Sequence, residues 1–81
     1  METLIRRIKL EVESGPEYYY GKPTGKTQWR ADMIWESPDN NDLGGILGRS
    51  TYSAKGAVDN WKFRAELDGH TNIEVTEVHE K

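Results

Sequence analysis

The chain has 81 residues, 10% of them aromatic and none of them cysteine, and a net charge of −3. That length allows one domain with a small core, in which only roughly 60% of the unfolded surface is buried. The missing cysteine excludes disulfides and thiolate metal sites, the charge is too small to argue for nucleic acid or membrane by itself, and no run approaches the roughly 18 apolar residues of a membrane span.

Residues 4–12 place Leu4, Arg6, Ile8, Leu10 and Val12 on one side and Ile5, Arg7, Lys9 and Glu11 on the other. Period-two alternation with branched aliphatics predicts a half-buried strand, and the charges among these residues exclude the apolar stretch of a signal peptide. A soluble, unprocessed, cytoplasmic protein is expected. Ser14-Gly15-Pro16 should end the strand, since glycine tolerates positive φ and proline donates nothing to a ladder. Tyr18-Tyr19-Tyr20 then continues a strand or makes an aromatic bend, and residues 21–25 are turn chemistry throughout.

Alternation resumes over residues 27–35, with Thr27, Trp29, Ala31, Met33 and Trp35 on the side expected to face the core. A polar loop follows at residues 37–42. Residues 43–49 read as a third strand thinned by glycines, which suits a bulge or a close pass beneath a helix. Ser53 is the expected N-cap, with Thr51 the other candidate, of a helix whose Ala54, Ala57, Val58, Trp61 and Ala65 form one narrow apolar stripe. Phe63 and Leu67 fall off that stripe, and Asp68-Gly69 supplies the stop. Residues 71–78 give a last strand in which Val78 breaks the alternation of Ile73 and Val75, implying a bulge or an end.

The order β-β-β-α-β predicts an α+β single domain over residues 1–81, a small antiparallel sheet of about four strands with one helix packed on one face. Hairpins should join the first three strands, and the last strand is placed after a helical crossover.

Motifs that carry chemistry fail on inspection. Gly21-Lys22-Pro23-Thr24-Gly25-Lys26-Thr27 is one residue short of a phosphate-binding loop and leads into a strand where a helix is required. Residues 39–44 begin like a calcium loop, but Leu43 stands at a ligand position and Ser50 where a bidentate Glu is needed. His70 and His79 lack partners at ligand spacing, Glu74 and Glu77 read as solvated charge, and no Ser, His and acid constellation is recognisable. No metal, cofactor or catalytic group is expected.

What remains is binding. Tyr18, Tyr19 and Tyr20 adjoin Lys22, Lys26 and Arg30, and exposed tyrosine anchors protein interfaces as readily as it stacks on bases. Set against these readings is a plain one, in which two tyrosines finish the edge of the core and the third decorates the surface.

Trp29-Arg30-Ala31, followed by Gly45-Ile46-Leu47-Gly48-Arg49-Ser50, then Tyr52-Ser53-Ala54-Lys55-Gly56-Ala57-Val58 and Trp61, resembles the YegP-like domains of unknown function over residues 27–67. The resemblance implies a strand-rich sheet with one packed helix and carries over no site residue. This chain departs from the family in having one unit, a long loop over residues 36–42 and a different first strand.

The expected function is that of a non-enzymatic protein-binding module occupying a surface of a larger protein, as anti-CRISPR and other anti-defence inhibitors of phages and mobile elements do. Tyr18, Tyr19, Tyr20, Lys22, Lys26, Trp35, Asp39 and Asp42 are the expected contacts, tyrosines as anchors and charges for orientation and rate. The alternative is a nucleic-acid-binding module built on the tyrosine and lysine cluster, and a homodimer through a sheet edge is a third possibility.

Overall fold

A computed structural model describes residues 5–34 and 42–81. Strands β1 (Arg6–Tyr19), β2 (Lys22–Met33), β3 (Gly48–Ser50) and β4 (Ile73–Glu80), with helix α1 (Ala54–Leu67) between the last two, realise the β-β-β-α-β order in an α+β fold. The sheet runs β3-β2-β1-β4. β1 pairs antiparallel with β2, and β2 with β3, whereas β4 lies parallel to β1, so the sheet is mixed and not antiparallel throughout as expected. The parallel pair follows from the connection. α1 carries the chain across one face of the sheet from β3 to the far side of β1, and a strand reached by such a crossover can run alongside β1 where a hairpin could not.

The core is the β1 face carrying Ile8, Leu10 and Val12, joined by Ala31 of β2 and closed by Ala57, Val58, Trp61 and Ala65 of α1. Trp29 and Met33 pack against it half-buried, on the side of β2 that alternation assigns to the core. Gly48 lets α1 come close, since a Cβ there would stand 2.2 Å from the carbonyl oxygen of Ala57 and 2.7 Å from Trp61 Cβ. Trp61 Nε1 donates to the Ile46 carbonyl at 3.2 Å, so the buried indole is satisfied. Ser53 caps α1, its Oγ accepting from the Gly56 amide at 2.9 Å, and Gly69 beyond the C-terminus adopts positive φ.

Three further expectations change. β1 does not stop at Ser14 but continues to Tyr19, through Gly15 and Pro16. Pro16 is tolerated because the Ile34 N–H to Lys9 carbonyl bond fixes the phase of the ladder, placing Pro16 opposite Thr27 at a pair whose backbone groups point outward. Residues 21–25 are not all turn, since only Tyr20 and Gly21 turn and β2 starts at Lys22. The third strand is three residues long. Leu43 and Ile46 are buried three residues apart in a 3₁₀ turn and the segment after it, joined by the Ile46 N–H to Leu43 carbonyl bond. In β4 the expected irregularity is a bulge at Thr76, whose hydroxyl donates to the Ile8 carbonyl at 3.2 Å. Of the polar loop expected over residues 37–42, only Asp42 lies within the described residues.

Candidate partner-binding site

Among the described residues, neither β1 nor β2 has another strand beside it beyond Ser14 and Gln28, and the two continue as a two-stranded arm. The molecule measures 50 × 23 × 20 Å with a radius of gyration of 13.7 Å. A compact chain of this length would have about 12 Å. The difference is the arm. Nothing from residue 13 to residue 27 is buried, so the arm takes no part in the core.

The arm is nonetheless specified in detail. Tyr19 pairs with Lys22 around the two-residue turn Tyr20-Gly21, whose φ values of 51° and 78° are those of a type I′ turn. Glycine suits such a position; tyrosine does not, because a left-handed L-residue presses its Cβ toward the carbonyl at a cost of roughly 1–2 kcal/mol. Below the tip the register shifts. Thr24, Gly25 and Lys26 on β2 oppose Glu17 alone on β1, with Gly25 at φ 85°. Thr24 holds this bulge, its Oγ1 donating to Glu17 Oε1 at 2.8 Å and accepting from the Lys26 amide at 3.3 Å.

At the end of this ribbon Tyr18, Tyr19 and Tyr20 are 61, 68 and 88% exposed. The rings of Tyr19 and Tyr20 meet edge to face with centroids 4.5 Å apart, so the aromatic tip is ordered against itself and not against the core. Lys22 and Lys26 are exposed beside it on β2. The structure therefore brings together five of the sequence-derived contact residues. The segment resembling a phosphate-binding loop is one side of this arm, an extended strand with no helix after it.

Asp42 lies elsewhere. Its carboxylate accepts from Arg6 Nη1 at 3.1 Å and Nη2 at 2.6 Å, and stands 3.4 Å from His70 Nδ1. The Arg6 hydrogen bonds hold this carboxyl below the usual range. Arg6 begins β1 and Tyr19 ends it, roughly 40 Å apart at strand spacing, so Asp42 shares no surface with the tyrosines. Trp35 and Asp39 lie outside the described residues.

Two surfaces are not anticipated by motif reading. The sheet face opposite α1 is charged on every strand, with Arg7 3.6 Å from Glu74, Lys9 3.8 Å from Glu77 and Lys81 paired to Glu11. Asp32 lies among them, its carboxyl raised by partial burial and then by the Glu11 carboxylate. A shallow groove beside the second half of α1 exposes Phe63 and Leu67 next to Leu47. Their displacement from the helical stripe is the sequence signal for it; the charged face is signalled by polar residues alternating with the core positions of β1.

Comparison with protein-family models, with curated proteins and with solved structures finds no match to this chain.

Proposed function

We propose that this chain is a non-enzymatic protein-binding module that occupies a surface of a larger protein, with the aromatic arm as its working end. The observation that carries this reading is Tyr20, a bulky residue at positive φ and 88% exposed, where Asn or Gly would make the turn at lower cost. A tip built for stability alone would not use it. Large, stiff, amphipathic side chains set at the end of a support are what interface hot spots are made of, and the lysines beside them suit orientation and association rate. Inhibitors that phages and mobile elements direct against host defence complexes work by such occupation, and defence complexes are the first baits to try.

The test is affinity capture by the immobilised chain from its native host, with a Y18S/Y19S/Y20S variant alongside. A stoichiometric partner retained by the native chain and lost by the variant, whose unfolding midpoint is unchanged, supports the reading. Equal retention by both refutes it. The pairing of Lys22 with Tyr19 across the turn favours a second reading, single-stranded nucleic acid stacked on the tip. That reading requires oligonucleotide binding that weakens steeply between about 50 and 200 mM salt.

A further inference from the structure

A two-stranded ribbon with bare edges is a natural template for strand addition, which makes the state of each edge informative. On the free edge of β1 in the arm the outward backbone positions are Ser14, Pro16 and Tyr18, and the middle one has no N–H. Across the ribbon Pro23 faces Tyr18 at the pair next to the turn-closing one, so its missing N–H also lies on the outer side. Three residues on, the bulge opposite Glu17 interrupts this edge, with the Lys26 amide held inside it by Thr24 Oγ1. In the body, Arg49 is the middle residue of the edge strand β3, and its outward amide donates to Asn60 Oδ1 of α1 at 2.9 Å. The fourth edge, β4, is broken by the bulge at Thr76 and carries Glu74, Glu77 and Glu80. Two prolines, a bulge in β2, one side-chain cap and one charged, bulged strand leave no edge among the described residues that is long, flat and unguarded.

Charge adds a direction. Between Ser14 and Gln28 the arm carries Lys22, Lys26 and Glu17, on a chain whose net charge is −3. Glu17 is occupied by the Thr24 hydroxyl, whereas both lysines are exposed beside the tyrosines.

Resting on the protein-binding reading, we infer that the chain meets its partner tip-first, with the side chains of Tyr18–Tyr20 entering an acid-rimmed recess of a folded protein, and that its strand edges are closed to backbone pairing. The docking mode is then side-chain insertion, and neither partner extends the other's sheet.

The edge half is tested on the protein alone by sedimentation over about a hundredfold range of concentration. The native chain should stay monomeric, while P16T/P23T, which restores both outward amides without touching the core, should gain mass with concentration. A native chain that self-associates, or a double variant that does not, overturns it. The tip half is tested on the captured partner. Val78→Pro closes β4 further at an outward amide, the phase being set by the Lys81 N–H to Val12 carbonyl bond, and should leave capture within about twofold. Y18S/Y19S/Y20S should weaken capture more than about thirtyfold, and K22E/K26E about tenfold. Loss of capture in Val78→Pro with retention in the tyrosine variant assigns binding to strand addition and refutes the inference, and tighter capture by K22E/K26E removes the acidic rim. Should the native chain capture no partner, the protein-binding reading fails together with tip-first docking, and sedimentation still decides the edges.

Discussion

The body and the arm are built from the same two strands yet obey different rules. In the body, β1 is a partner to strands on both sides and to α1 above, and its inward residues Ile8, Leu10 and Val12 are at most 3% exposed. A few residues further along the same strand, β2 is its one neighbouring strand among the described residues and the side chains face water. Burial holds the first region, at roughly 25 cal/mol per Å² of apolar surface. The second is held by its two-stranded ladder, turn geometry, a bulge tied by Thr24 and the contact of the Tyr19 and Tyr20 rings. Stability should therefore be sensitive to the body and nearly blind to the arm, and partner binding the reverse.

The largest effect expected is on Trp61, whose side chain is fully buried and joins α1 to the Ile46 carbonyl. Trp61→Ala should cost about 3–5 kcal/mol in urea unfolding, against a total of roughly 4–12 kcal/mol for a domain of this size. Gly48→Ala comes next. The added methyl meets backbone atoms of Ala57 and Trp61, which no rotamer change relieves, so α1 must lift from β3 at about 2–3 kcal/mol. Removing all three tip tyrosines should change the unfolding free energy by less than about 0.5 kcal/mol. A drop as large as that of Gly48→Ala would break the division between the two regions.

Much of the body is legible in the sequence because its signals are local. Alternation names Ile8, Leu10 and Val12, the helical stripe names Ala57, Val58, Trp61 and Ala65, and Ser53 and Gly69 mark the ends of α1. The glycines of the third strand suit either a bulge or a close helix contact, and Gly48 makes the contact. The arm is less legible, since Gly15 and Pro16 carry the signals of a chain break. Those signals assume a neighbour on both sides; at a free edge proline loses no hydrogen bond, and the strand runs on. Nor does any local pattern say that β4 lies parallel to β1, because that depends on where the crossover of α1 ends. Of the candidate site, the tyrosines and lysines are visible as a cluster in sequence. That they stand clear of the core is not, since exposure depends on where the neighbouring strands stop.

Tyr20→Asn sharpens the comparison most, because its two effects have opposite signs. Asn accepts positive φ more readily than Tyr, so the variant should be slightly more stable, by about 0.5 kcal/mol, as read from the urea midpoint. Capture of the partner should weaken at the same time, by tenfold or more if Tyr20 is an anchor. A variant both more stable and fully competent would leave the choice of tyrosine at this turn without a function.

The smallest effects are electrostatic and belong to the body. Asp42 has its pKa lowered by the Arg6 hydrogen bonds, so the folded chain holds that proton less tightly than the unfolded one. Its contribution is complete above the ordinary carboxylate value of 3.8 and drains away as pH falls through the lower folded value. Asp32 runs the other way. Its pKa is raised by burial and by Glu11, so the folded chain holds the proton more tightly, and stability falls as pH rises from 3.8 through the raised value. Asp42→Asn should therefore lower the urea midpoint at neutral pH and flatten the acid limb, while Asp32→Asn should raise the midpoint at neutral pH and leave it unchanged in acid. Neither substitution should alter partner capture at neutral pH, because Asp42 lies at the far end of β1 from the tip and Asp32 on the charged face of the body. If Asp32→Asn did weaken capture, the charged sheet face would be part of the docking surface and the arm would not act alone.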